Sequence, residues 1–294
     1  MKILITGGSG RIGYEFFEYL SKEGHTTICT CLKHEINGHK ARKLDLTDKG
    51  KTLNFIIKEK PELVVHTAAL TNVELCEKNK SLADLQNVGA TRNIIEGCIK
   101  TGSRLTFISS SFVFSGRKSL YVEDDPTDPI NYYGVTKAES ERQILESGLE
   151  FLTLRVDQPY DWIRPWQQDN QVTRVLKRLE SGEVYEDPTD WYNNPTFIPN
   201  IVEVAMRLVE RCKIGVYNVV GPDYISRYNW SLAIADVFGE DKSLIRPVSS
   251  KKLDLVTKRP NANLSNKKAV ADSGMALFGI RKGLERMKDN SAMK

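Results

Sequence analysis

The chain has 294 residues, 42 of them basic and 38 acidic, with 40% hydrophobic and 27% charged residues and a net charge of +4. That length accommodates one large domain, or one and a half, with a sizeable core, and the composition is that of a soluble globular protein. The mild charge argues against nucleic acid or a membrane as partner, no stretch is apolar enough to span a bilayer, and a first strand directly after Met1 predicts no signal peptide and a cytoplasmic location. Five cysteines (Cys29, Cys31, Cys76, Cys98, Cys212) form no Cys-x-x-Cys pair and predict reduced thiols. The histidines His25, His34, His39 and His66 show no metal-ligand spacing, so no metal is expected.

Lys2-Ile3-Leu4-Ile5-Thr6 has the length and character of a buried strand. It breaks at Gly7-Gly8-Ser9-Gly10-Arg11-Ile12-Gly13, and Ile12, Phe16, Phe17 and Leu20 then fall at helical spacing. Strand, glycine turn and helix in this order predict a dinucleotide site. Gly7 and Gly10 let backbone approach a pyrophosphate, Gly13 lets the helix lie against its strand, and the amides of Arg11, Ile12 and Gly13 face the phosphates. The same spacing also suits a tight turn without ligand.

Thr26 to Cys31 reads as a second strand, with Cys29 and Cys31 on one face. NAD-binding versions of such a unit place an acid at the end of this strand. Here Leu32-Lys33-His34 follows, with no acid before Glu35, and Lys33, Arg11 and Arg42 suit a 2′-phosphate. NADP is therefore expected over NAD. After a short third strand, Asp45 and Leu46 could lie along an adenine, and Asp48 could cap a helix from Lys49 to Lys60 that Pro61 ends. Glu62 to His66 reads as a central buried strand, His66 as a strand-end residue, and Ala68 and Ala69 beyond it are small enough for close approach of the coenzyme.

A helix from about Leu82 to Lys100 contains Asn87. The strand Arg104 to Ile108 ends in Ser109-Ser110-Ser111, where ligands bind in open α/β sheets. Asn131-Tyr132-Tyr133-Gly134-Val135-Thr136-Lys137 then opens a helix reaching about Ser147, with Tyr133 and Lys137 on one face. Glu150 to Val156 is a sixth strand. This alternation predicts an α/β fold: a doubly wound parallel sheet with helices on both faces. After residue 158 the alternation lapses and aromatic residues cluster. Helices are expected at Gln168–Glu180, Trp230–Phe238 and near Gly283–Met287, with a strand at Gly215–Val219. The predicted organisation is a dinucleotide-binding domain over 1–158, completed by about 195–220, and a smaller α/β substrate-binding lobe from 159–194 and 221–294.

The glycine turn, the serine-ended strand, Tyr133-x-x-x-Lys137 and Asn87 resemble the extended short-chain dehydrogenase/reductase family, whose fold is Rossmann-type. Within it the chain is most similar to the dTDP-4-dehydrorhamnose reductase-like family. That likeness runs through Val64-Val65-His66-Thr67-Ala68-Ala69, Ser109 to Phe114, Pro195-Thr196-Phe197, Gly215 to Pro222, Ser226-Arg227-Tyr228 and Arg259-Pro260-x-x-x-Leu264. The resemblance implies NADPH-dependent reduction (NADH being the alternative) of the C4 ketone of a 4-keto-6-deoxy nucleotide sugar, by a chain able to form a homodimer. Tyr133 would supply the proton, and Lys137 would lower its pKa from about 10 and hold the nicotinamide ribose. Ser110 would orient the carbonyl, and Asn87 would support Lys137 through helix backbone and water.

Asn131, Gln158, Trp162, Trp191, Arg227 and Arg259 could face the substrate, the arginines suiting a diphosphate. Two departures stand out: the family usually has Thr-Asp-Tyr where this chain has Ser110-Ser111-Phe112, and a tryptophan where it has Gln158. Two other functions fit the same residues: a nucleotide-sugar epimerase, and a non-catalytic NADP-binding subunit like the relatives that regulate methionine adenosyltransferase.

Overall fold

The structure, a computed structural model, describes residues 1–32, 34 and 41–290. A seven-stranded parallel sheet forms the centre, built from β1 (Lys2–Thr6), β2 (Thr26–Cys31), β3 (Arg42–Lys43), β4 (Leu63–His66), β5 (Arg104–Ser110), β6 (Phe151–Val156) and β11 (Gly215–Asn218). Its order is β11-β6-β5-β4-β1-β2-β3. β1 and β4 are neighbours, and from them the chain winds outward in opposite directions, so a crevice opens at their carboxyl ends. Both faces are covered, which is why β1 and β4 read as unbroken apolar runs instead of alternating.

Helix α1 (Arg11–Lys22) buries Phe16, Phe17 and Leu20 against this sheet, and α8 (Ile198–Glu210) packs beside it. On the opposite face lie α2 (Lys49–Glu59) and α5 (Ala90–Thr101), with Ile56, Ile94 and Ile95 in one apolar cluster. Asp48 caps α2 by accepting from Lys51 N, and the helix ends at Lys60 in a left-handed conformation (φ 46°). The helix expected from Leu82 to Lys100 is α4 (Lys80–Ala83), a π-helical turn (Asp84–Gly89) and α5 in succession. The short α3 (Val73–Lys78), which Asn72 caps, precedes it.

Helix α6 (Tyr132–Leu145) returns the chain to β6. A second apolar cluster then forms around α7 (Gln171–Glu180), α9 (Arg227–Phe238) and α11 (Ile280–Asp289), with Trp230 and Tyr160 at its centre. Short strand pairs stitch this lobe together: β7 (Pro159–Tyr160) with β10 (Thr196–Phe197), β8 (Tyr185–Pro188) with β13 (Ile245–Val248), and β9 (Tyr192–Asn193) with β12 (Ile225–Ser226). A short helix not foreseen from the sequence, α10 (Lys267–Ser273), packs on α8 and β11. Among the described residues no helix is long and apolar enough to cross a membrane, and no cluster of His, Cys, Asp or Glu could hold a metal ion. None of the five cysteines forms a disulfide, and four of them are buried.

Candidate functional site

The glycine turn is closely packed against the end of β4. Gly7 has φ +70°, and a Cβ there would stand 2.8 Å from the backbone of Ala68. A Cβ at Gly13 would stand 2.4 Å from the Gly7 carbonyl oxygen and 2.6 Å from Thr67 Oγ1. These positions therefore need glycine so that Thr67-Ala68-Ala69, the turn and the start of α1 can meet. No side chain caps α1, whose N-cap is Gly10. The first amides of the helix and its positive end face the crevice, a setting for an anion.

A strap from the second lobe, residues 161–170, lies across this turn. Trp166 Nε1 and Gln167 Nε2 both donate to the Ser9 carbonyl at 3.1 Å. The Trp166 ring packs edge-on against Tyr14 at 6.0 Å, and the Arg164 guanidinium lies 4.8 Å over the same tyrosine. Arg11 is largely buried, where desolvation and Arg174 draw it below the usual guanidinium range against the pull of Asp169. Arg42, expected near a 2′-phosphate, pairs with Glu59 at 2.9 Å and lies over Phe55. Lys33 lies outside the described residues. Asp45 accepts from Thr47 N and Thr47 Oγ1 at 2.9 and 2.7 Å, making a local turn, and the Leu46 side chain is buried in the core cluster of α2 and α5.

The second part of the site stands at the end of β5. Ser110 Oγ accepts from Phe112 N at 3.2 Å and lies near enough to the Tyr133 phenol to favour its ionised form. The Tyr133 ring rests edge-on against Phe112 with centroids 5.6 Å apart. Gly134 makes this approach possible, since a Cβ there would stand 2.1 Å from the Phe112 carbonyl oxygen. Burial raises the Tyr133 phenol well above its ordinary value, and Ser110 opposes this only in part.

Lys137 is 3% exposed, donates to the Ile108 carbonyl at 2.6 Å and lies 4.0 Å over the Phe107 ring. Burial pushes its ammonium down to about 7, with Glu141 opposing. In this structure burial, and not Lys137, sets the direction of the Tyr133 shift. Asn87 also sits differently from expectation. Its side chain accepts from Leu70 N at 2.7 Å and donates to Leu70 O and Thr136 Oγ1, bracing the loop after β4 against α6. It lies in the π-helical turn, a distortion frequent at functional sites. His66 is a buried strand-end residue, held near pKa 3 by burial. Thr91 Oγ1 donates to Asn87 O, so His66 Nε2 donates to Thr91 and Nδ1 accepts from Thr6.

The candidate substrate contacts are mostly engaged in holding the structure together. Asn131 caps α6 by accepting from Gly134 N, and its amide donates to Lys258 O at 3.1 Å. Trp162 donates to Met287 O and packs on Phe238 in the second core. Arg227 is buried between Asp187, 3.4 Å from its Nε, the amide oxygen of Gln171 and the face of Trp191 at 4.7 Å. Arg259 pairs with Glu74 of α3 and donates to Thr257 O. Gln158 is half-buried at the carboxyl end of the sheet, in a left-handed conformation (φ 38°). Such strain in a non-glycine residue is found preferentially at functional sites.

A doubly wound sheet with a glycine turn at its switch point, and a Ser-Tyr-Lys group beside it, narrows the comparison to a few families. The chain matches the sequence profile of the RmlD substrate binding domain over residues 1–293. The chain belongs to this family. Among curated relatives of this RmlD-type chain, methionine adenosyltransferase 2 subunit beta of Mus musculus is 27% identical, over 90% of the chain and 80% of that protein. The dTDP-4-dehydrorhamnose reductase of Aggregatibacter actinomycetemcomitans is also 27% identical, over 88% of each. The crystal structure of dTDP-4-dehydrorhamnose reductase from Bacillus anthracis in complex with NADP superposes with a TM-score of 0.90 over 99% of both chains, at 22% identity, a likeness of fold. The reductase among these relatives marks the family as one that includes NAD(P)-dependent oxidoreductases, and the Rossmann-type fold expected from the sequence is the one observed.

Within this RmlD-type site the structure adds residues that sequence reading passed over. Ser111, standing where the family usually has an acid, donates to Asp157 Oδ1 at 2.8 Å, so a carboxylate reaches this position from the end of β6. Asp157 is buried, which pushes it up to about 6, while donors from Asn194 N, Ser111 and Asn193 favour its ionised form. Trp166 and Gln167 were also passed over, because nothing local marks a loop that docks on a turn more than 150 residues earlier. Glu141 did carry a signal, lying one helical turn beyond Lys137.

Proposed function

We propose that the protein is an NADPH-dependent reductase of a 4-keto-6-deoxy nucleotide sugar, with NADH as the alternative coenzyme. In this reading residues 1–158 and about 195–220 hold the coenzyme, and 159–194 and 221–294 hold the sugar nucleotide. The glycine turn fits a dinucleotide: the space a Cβ would fill at Gly7 and Gly13 is closed, and the helix start above it is uncapped. No acid follows β2 in the sequence before Glu35, which is compatible with a 2′-phosphate. When bound, the coenzyme supplies the hydride for the C4 ketone.

The observation that carries the proposal is the grouping of Ser110 beside the Tyr133 phenol, with Lys137 one turn away on the same helix. Ser110 would hold the ketone oxygen by its hydroxyl. Tyr133, whose raised pKa keeps it protonated, would donate as charge develops on that oxygen. Lys137 would stabilise the phenolate left behind and bind the nicotinamide ribose. Asn87 braces the α6 turn from which both project.

One observation favours a second reading, a non-catalytic coenzyme-binding subunit. The arginines suited to a diphosphate, Arg227 and Arg259, are already engaged by Asp187 and Glu74. The likeness to methionine adenosyltransferase 2 subunit beta points the same way. One assay separates the two readings: NADPH, a dTDP-4-keto-6-deoxyhexose and the protein, followed by absorbance of the reduced nicotinamide. Turnover that falls by about 10²–10⁴-fold in Tyr133→Phe supports the reductase. Coenzyme binding without turnover on any keto-sugar overturns it in favour of the subunit.

A further inference from the structure

Behind the Ser-Tyr-Lys group lies a buried charge network that the mechanism above does not use. Glu141 and Arg155 are 7% and 4% exposed, and Arg155 donates to the Glu141 carboxylate from both Nε and an Nη nitrogen, at 2.7–3.2 Å. Ser109 Oγ donates to the same carboxylate at 2.5 Å. Arg155 also lies 4.8 Å over Phe114 and donates to Glu123 O, so its fork is fully engaged.

A buried ion pair is weak evidence for stability, because desolvating two charges costs about as much as their attraction returns. Its placement suggests a different purpose. Lys137 and Glu141 are one turn apart on the buried face of α6. Lys137 grips the Ile108 carbonyl, and Glu141 grips the hydroxyl of Ser109, the next residue. Together they clamp the last stretch of β5 that leads into Ser110.

The other groups facing Lys137 do not supply a counter-charge. β4 brings His66, which burial keeps neutral, and β5 brings the Phe107 ring and the Ile108 carbonyl. The helix itself brings the neutral Tyr133, β6 brings Arg155, already turned onto Glu141, and α3 brings the Cys76 thiol toward Tyr133. An ammonium so enclosed tends to lose its proton unless a carboxylate holds it.

We propose that Glu141, fixed by Arg155 and Ser109, is a positioning residue that keeps the Lys137 ammonium charged and seated at the end of β5. Arg155 limits that influence by neutralising part of the carboxylate. The role of Lys137 rests on the reductase reading, but the test reads its ammonium directly and needs no substrate.

The test uses full-length protein with ¹³C-labelled lysine and follows the Lys137 Cε resonance against pH, with Lys137→Met giving its assignment. In the wild type the resonance titrates near 7. Glu141→Gln, isosteric and uncharged, lowers the midpoint by about one pH unit or more, a tenfold loss of proton affinity. Glu141→Asp restores it. If Glu141→Gln does not fold, the double variant Glu141→Gln/Arg155→Met leaves no unpaired buried charge and takes its place. A folded variant whose Lys137 midpoint matches wild type overturns the proposal. Failure of both variants to fold assigns the pair to folding and overturns it as well. In turnover, the loss of activity with rising pH moves to lower pH in Glu141→Gln. A protein without turnover leaves the resonance measurement decisive and counts only against the reductase reading.

Discussion

Gly13→Ala tests whether the glycine turn is built for a ligand or only for a tight connection. A methyl group there would lie 2.4 Å from the Gly7 carbonyl oxygen, whereas ordinary contact begins at 3.4 Å, so turn and helix must part by about 1 Å. Overpacking of this kind costs about 1–3 kcal/mol. Alanine returns at most about 1 kcal/mol of helix propensity, since Gly13 lies in the first turn of α1. The net loss of stability is therefore small, and melting falls by only a few degrees.

Coenzyme binding is another matter, because the displaced atoms are the ones that would line the pyrophosphate. A misplacement of about 1 Å at a preorganised site can cost about 10²-fold. Gly24→Ala is the control. Gly24 has φ +75°, and the methyl group of an alanine there would meet nothing within 4 Å, so the substitution costs about 1–2 kcal/mol of backbone strain far from the crevice. The assay is thermal melting together with NADPH titration by nicotinamide fluorescence. The expected result is two variants of similar stability, of which only Gly13→Ala loses affinity. Wild-type NADPH affinity in Gly13→Ala, or an equal loss in Gly24→Ala, would refute the reasoning.

Two further outcomes follow from groups around the strap. Asp161 Oδ1 is buried without a hydrogen-bond partner, and burial pushes the carboxyl from 3.8 up to about 7. The folded state therefore binds a proton that the unfolded chain releases, so this group's contribution to stability falls as pH rises from 3.8 to about 7. Asp161→Asn should raise the melting temperature at pH 8 and leave it unchanged near pH 4, and a gain confined to acid would contradict the assignment. Trp166→Ala removes one of the two donors to Ser9 O and the ring packed on Tyr14. If the strap covers bound coenzyme, NADPH dissociation by stopped flow should quicken about fivefold, since one hydrogen bond is worth about 1 kcal/mol; an unchanged rate would show the strap to be bystander structure.

Much of the fold was legible because it is local. β1 and β4 are short apolar runs, β2 is a run of β-branched residues and cysteines, α1 and α2 carry helical periodicity with a cap at Asp48, and strand-turn-helix alternation admits few topologies. The π-helical turn around Asn87 was not legible, because the extra residue leaves the apolar periodicity almost unchanged. α3 and α10 were missed because six or seven residues are too few for a periodic pattern to emerge.

The sequence by itself determined where the glycine turn falls between strand and helix and which tyrosine and lysine share a helix face. Those properties depend on spacings of three or four residues. Only the tertiary structure decided how the charges pair. Arg259 meets Glu74 across 185 positions, Arg155 meets Glu141 across 14, and Ser111 finds Asp157 across 46. A charge's partner is set by which surfaces pack together and exclude water, and a local pattern does not encode that.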